Sequence, residues 1–137
     1  MPPAQLWLSR FAKLVVAVTF ALLFLGGMVT SLDAGMSVPD WPTTFGYNMW
    51  TFPFERWKGL VFWEHTHRVV ASVLGVLVIF LAIGIQWLET RRWVRWLGWT
   101  ALVLVSVQGI MGGLRVTENS IPLAIVHGVT AQIFFCL

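Results

Sequence analysis

Four apolar runs carry no Asp, Glu, Lys or Arg: Leu14–Ser31, Val69–Leu88, Trp96–Leu114 and Ile121–Leu137. A bilayer core asks for ~20 such residues per helix. The second run's helix is expected to start near Gly59, with EHTHR on its first turns. The spans are thus placed at about 14–31, 60–88, 96–114 and 121–137, with a loop over 32–59. Hydrophobic residues make up 58% and charged ones 11% of the chain, against ~25% charged in soluble domains. A soluble domain of 137 residues could not bury that much apolar surface, and intrinsic disorder is excluded by the same content. The expected fold is all-α, an integral membrane four-helix bundle forming one domain over residues 1–137. The net charge of +3 is scattered along the chain, so no nucleic-acid partner is implied. With Cys136 the sole cysteine, neither an internal disulfide nor a cysteine-built metal site can form.

Basic residues orient the spans. Arg10 and Lys13 precede the first, and Arg91, Arg92 and Arg95 fill the link between the second and third. By the positive-inside bias both segments are cytoplasmic, which puts the N-terminus inside and the long loop outside. Tryptophans form two belts: Trp7, Trp87, Trp93, Trp96 and Trp99 at the inner boundary, and Trp41, Trp50, Trp57 and Trp63 at the outer. The first run is not read as a signal peptide, because no A-x-A-like site follows and the run continues through Val29. The fourth run ends at the last residue without a polar flank, as expected of a truncated chain or of half of something larger.

His67 and His127 occupy matching places, each near the outer start of a span that runs inward. An ionisable group at that depth is costly and faces a bundle interior or cavity. Two imidazoles facing each other suit an iron porphyrin held by one nitrogen on each side, so both are candidate metal ligands. Small residues beside them, Ala71 and Gly75 after His67 and Gly128 and Ala131 around His127, leave room for a flat ring. The alternative for each is a hydrogen bond to a neighbouring helix. His65 points elsewhere on its helix, toward the loop.

Glu64 lies three residues before His67, on the same helical face. It is either a functional carboxylate or one half of an i,i+4 ion pair with Arg68. Arg68 and Arg115 are candidate partners for the propionates of a macrocycle. A weak repeat links GGMVTS at the end of the first run to GGLRVT at the end of the third; each is followed by a loop and a histidine-bearing helix. Gly109 and Gly113 form a small-xxx-small pattern expected to mark helix packing, and Gln108 is expected to make an interhelical hydrogen bond. The aromatic loop reads as a rim on the membrane surface or a lid over a pocket, which Asp33 and Asp40 could line.

Taken together, GGMVTSLDAGMSVPDWP, EHTHRVVAS, QGIMGGLRVTE and VHGVTAQ resemble the haem A synthase family, the CtaA/COX15 group, over nearly all of the chain from about Phe24. The resemblance implies an oxidoreductase that converts haem O to haem A, taking a porphyrin methyl to a formyl, in the assembly of haem-copper oxidases. It implies eight helices in two similar halves, of which this chain resembles the N-terminal one, and a haem b in the other. His67 and His127 match that half's histidine pair, and Glu64 the glutamate of E-x-x-H, which favours a functional Glu64. The cysteine pair carried by some members is absent here. Implied partners are haem O, an electron donor that the sequence does not identify, haem O synthase and oxidase assembly factors, and a second half or a second copy of the chain. The implied location is a bacterial-type inner membrane. A b-type electron carrier and a non-enzymatic haem-binding assembly protein are the competing readings.

Overall fold

The computed structural model describes residues 3–137. Its helices are α1 (Pro3–Ser31), α2 (Gly59–Leu88), α3 (Arg92–Thr117) and α4 (Ile121–Cys136), with short 3-10 turns at Met49–Thr51 and Phe54–Arg56 in the α1–α2 loop. No β-strand occurs among the described residues. The helices overrun the apolar runs: α1 begins well ahead of Leu14, and α3 takes in Arg92 and Arg95. Charge ends an apolar run but not the backbone ladder. Arg, Lys and Trp side chains at a membrane boundary can lay their apolar parts along the helix and reach outward with their polar tips.

The apolar side chains are turned outward to an extent that water would not tolerate. Phe20, Phe24, Val103 and Ile125 are each 60–64% exposed, whereas lipid tails accept such surface at no cost. α1, α2 and α3 are each long and apolar enough to cross a bilayer, and α4 is a shorter apolar helix of 16 residues. The chain is an integral membrane protein.

Successive helices pack against one another and α4 closes back on α1, which gives an up-down-up-down bundle. Its buried centre is Val15, Leu74 and Val78, surrounded by Phe11, Val18, Leu22, Leu102 and Phe134. The two short connections are fixed by hydrogen bonds. Between α3 and α4, Asn119 takes the left-handed conformation at φ 47°, which Asn tolerates. Ser120 then caps α4 by accepting from Leu123 N–H at 3.4 Å, with Pro122 in the first turn. Between α2 and α3, the Glu89 carboxylate accepts from the backbone N–H groups of Thr90 (2.9 Å) and Arg91 (3.0 Å) and from the Arg91 guanidinium (2.8 Å). Arg91, above all through its side chain, holds the Glu89 pKa down to about 2.

Two outcomes follow. Leu74→Ala should destabilise the bundle by about 2–5 kcal/mol, while Val103→Ala on the lipid face should change stability by under about 0.5 kcal/mol; equilibrium unfolding in detergent compares them. Because Glu89 is more acidic folded than unfolded, its contribution is full above the ordinary carboxylate range and is lost as the pH falls toward 2. Glu89→Gln should therefore flatten the pH dependence of the melting temperature between about pH 5 and 2, and an unchanged profile would show that the link adds nothing.

Candidate functional site

α2 and α4 both start at the end of the bundle that carries the 32–58 loop, and each brings a histidine about two turns in: His67 on α2 and His127 on α4. Each imidazole rests in a hollow made by a glycine of the preceding helix. A Cβ placed on Gly26 of α1 would lie 3.2 Å from His67 Cε1, and one on Gly112 of α3 would lie 3.3 Å from His127 Cε1. Gly26 and Gly112 are the first glycines of GGMVTS and GGLRVT. The repeat thus has a physical content, since in each hairpin the same glycine makes the seat for a ring.

The nitrogens of the rings are treated differently. His67 Nδ1 is buried with no hydrogen-bond partner. His127 Nδ1 lies 2.9 Å from the side-chain amide of Gln108 on α3. The amide finds partners turned either way: with its NH2 toward His127 its oxygen accepts from the Ala131 N–H (2.9 Å), and with its oxygen toward Nδ1 its NH2 donates to the Thr130 hydroxyl, whose own proton goes to Val126 O (2.7 Å). Gln108 does make the interhelical bond expected of it, and reaches a histidine as well. The glycine pattern works otherwise than expected: Gly113 packs under the Trp41 ring, whereas Gly109 has nothing within 4 Å. The Gly113 contact is with the loop rather than with a helix.

Glu64, one turn before His67, and Arg68, the residue after it, form a buried pair at 2.7 Å, with side-chain exposures of 5% and 10%. Arg68 also donates to the carbonyls of Asp40 (2.6 Å), Thr43 (3.2 Å) and Val38 (2.8 Å). Val38 N–H in turn donates to Glu64 Oε2 at 2.8 Å. The Arg68 guanidinium is therefore turned to the loop, with both terminal nitrogens engaged. Arg115 packs its guanidinium against Gly35, where a Cβ would collide with it. Inside the loop, Asp40 accepts from Thr43 Oγ1 (2.5 Å), Phe45 N–H (2.7 Å) and Gly46 N–H (2.8 Å), so it organises the loop from within. Burial pushes its pKa up, but the bonds from Gly46, Thr43 and Phe45 outweigh burial and hold it below the usual value. His65 is wholly buried beneath the loop, with Nδ1 3.1 Å from Thr44 Oγ1 and its ring between Phe52 and Trp57.

Among the described residues no three His, Cys, Asp or Glu side chains come together to hold a metal ion by themselves. Two imidazoles are too few for a protein-built site of the zinc type, which takes four ligands. They are the right number for the axial positions of an iron whose other ligands come from a porphyrin. The glycine seats and Gln108's reach to His127 are what sequence reading missed. The signal for the seats was the spacing of the GG pairs relative to each following histidine.

Residues 9–136 match the family COX15-CtaA, described as a cytochrome oxidase assembly protein. Similar curated proteins include a "Heme A synthase" from Hyphomonas neptunium, 22% identical over 82% of this chain and 38% of that protein. Another from Exiguobacterium sibiricum is 27% identical over 95% of this chain and 44% of that protein. A third, from Alkalihalophilus pseudofirmus, is 29% identical over 81% of this chain and 37% of that protein. The chain spans less than half the length of these relatives. No solved structure gives a significant match.

Removing Arg68 should be costly out of proportion to an ordinary i,i+4 pair. Arg68→Gln leaves a buried carboxylate with one fewer partner and frees three loop carbonyls, for an expected loss of about 3–5 kcal/mol. Limited proteolysis in detergent should then cut at Arg56 and Lys58, and a loop as resistant as before would show that the clamp is dispensable.

Proposed function

The chain belongs to the COX15-CtaA family of cytochrome oxidase assembly proteins, and we propose that it is the N-terminal, haem-binding half of a haem A synthase, which oxidises a methyl group of haem O to the formyl group of haem A. The observation that carries this reading is the pair of imidazoles, each seated on the first glycine of a repeated GG and both at the loop end of the bundle.

The residues present fit a haem. His67 and His127 would hold its iron, and the buried Nδ1 of His67, which has no hydrogen-bond partner within the chain, supports this reading. Arg115 offers a guanidinium to a propionate at the loop end, while Arg68 acts through its hold on the loop and leaves only its Nε–H for such a role. When bound, the haem supplies both the iron and the methyl group to be oxidised. Glu64 is the one buried carboxylate of the loop end. Held by Arg68 and Val38 N–H on the side of His67, it stabilises positive charge that develops on the reacting carbon and accepts the proton released. The loop, with Trp41 on Gly113 and Phe52 and Trp57 around His65, covers this end and keeps bulk water away.

The remaining parts of the reaction lie outside these residues. Electrons and oxygen come from elsewhere, and the resemblance assigns the other half a haem b. Haem O synthase and oxidase assembly factors are the partners that such a step implies. By the positive-inside bias the N-terminus and the Arg91–Arg95 link are cytoplasmic, in a bacterial-type inner membrane, and the site opens on the outer side.

The test is a reduced-minus-oxidised spectrum of the detergent-purified chain with extraction of its porphyrin, followed by product analysis in the presence of the second half. Bound low-spin haem O or A, and formyl-bearing product, are the expected result. A permanent haem b with no conversion would instead make the chain an electron carrier, and bound haem O without conversion a haem-binding assembly protein. His67→Ala and His127→Ala should each lower haem retention severalfold. Glu64→Gln should retain haem and lose conversion by about a hundredfold; full activity would return Glu64 to a structural part.

A further inference from the structure

Gln108 is a polar group inside the bundle that the proposed function does not use. It lies four residues before Gly112, so the amide and the glycine seat share one face of α3. Both serve the same ring: Gly112 receives the edge of His127, and the Gln108 side-chain amide lies 2.9 Å from its Nδ1. Thr130 braces the arrangement from α4, its hydroxyl accepting from the Gln108 NH2 and donating to Val126 O at 2.7 Å.

The other hairpin has the seat without the brace. The position on α1 that corresponds to Gln108, four before Gly26, is Leu22, which has no polar atom to offer. His67 Nδ1 is accordingly buried and unpartnered. Two rings that match in depth and in their glycine hollows thus differ in the partner of the same nitrogen.

Resting on the haem-ligand reading above, we infer that Gln108 is a positioning residue that makes the two imidazoles unequal: it fixes His127 as the firm ligand through Nε2 and leaves His67 as the one that lets go. A partner on the far nitrogen fixes both the rotation and the tautomer of a metal-binding imidazole and raises its basicity. With Nδ1 occupied, Nε2 is the His127 nitrogen left for iron, and that state carries the ring proton on Nδ1. The amide serves it with its oxygen toward the ring, accepting from Nδ1–H, while its NH2 donates to the Thr130 hydroxyl. His67 has no such partner and is the weaker donor. The ligand that would give way is then the one on α2, where Glu64 stands one turn away.

The experiment uses haem-loaded, purified protein carrying Gln108→Leu, Gln108→Glu or Thr130→Val, with His127→Ala as reference. Readouts are haem affinity, midpoint potential, the low-spin ferric EPR signal and the Fe–CO stretching band of the reduced CO adduct. Gln108→Leu should weaken haem binding about 10- to 100-fold and raise the potential. Gln108→Glu, a stronger acceptor for Nδ1–H, should lower the potential. Thr130→Val, which removes the brace on the amide, should raise the potential in the direction of Gln108→Leu but by less. A residue serving helix packing alone would move Leu and Glu variants in the same direction, and that result would overturn the inference. CO should displace His67 and leave His127 trans to it, so the Fe–CO band should shift in both Gln108 variants; an unmoved band means that His127 is the ligand displaced, which also overturns it. If Gln108→Leu does not fold, the Glu variant alone carries the comparison. A low-spin spectrum that survives His127→Ala would sink the ligand reading itself. Loss of that spectrum in His127→Ala, with Gln108 variants indistinguishable from the unsubstituted protein, would sink only the role of Gln108.

Discussion

An irregular segment lying on the end of a membrane bundle has backbone carbonyls that no sheet or helix satisfies, and each one left bare where water is scarce costs free energy. Arg68 meets that constraint. Its two terminal nitrogens bond the carbonyls of Val38, Asp40 and Thr43, drawing three points of the loop onto one place on α2. Glu64 balances the charge and takes up Val38 N–H with its second oxygen, so Val38 is held through both its backbone groups. From this anchor the loop extends across the bundle. Trp41 reaches Gly113 on α3, and Gly35 lies against Arg115. The contact that joins the first hairpin to the second at this end therefore depends on a charge pair within α2.

An i,i+4 pair on a helix surface is worth only about 0.3–0.5 kcal/mol, and by spacing alone Glu64 and Arg68 look like such a pair. Burial changes the accounting, because neither group can fall back on water if its partner is removed. It also removes the opposition between a structural and a chemical role for Glu64. The bonds to Arg68 and Val38 fix the carboxylate one turn from His67, and a carboxylate held in place without further rearrangement is what stabilisation of developing charge requires. In the proposed reading the clamp and the chemistry are two aspects of one arrangement.

What could be read from the sequence follows from which residues carry their own signal. Uncharged runs mark apolar helices, and each of the four helices overlaps one of those runs, three of them long enough to cross a bilayer. Their ends were less legible, because α1 and α3 continue through boundary residues such as Arg10, Lys13 and Arg92 that break an apolar run without breaking a helix. His67, His127, Glu64 and Arg68 were visible as ionisable groups in or beside apolar segments. What Arg68 does was not visible, because its partners are backbone carbonyls, which every residue has. The same limit applies to glycines. Gly109 and Gly113 fit a packing pattern, yet the close approaches are at Gly112, to a histidine, and at Gly113, to a tryptophan from a distant loop. A glycine announces that something comes near but not what does.

The two hairpins share a plan and differ where it matters for function. Each has a helix ending in a glycine seat, then a connection, then a helix whose histidine fills the seat. The first hairpin adds a long loop, the Glu64–Arg68 clamp and an apolar Leu22 where the second has Gln108. The second adds a short turn capped by Ser120 and an amide on the far side of its histidine. A symmetric site would grip a flat ring equally from both faces and leave neither open. Giving one imidazole a hydrogen-bonded brace, and placing the only buried carboxylate of this end beside the other, separates holding from reacting. In the proposed reading the duplicated scaffold supplies the common geometry, and the departures from the repeat supply the direction of the chemistry.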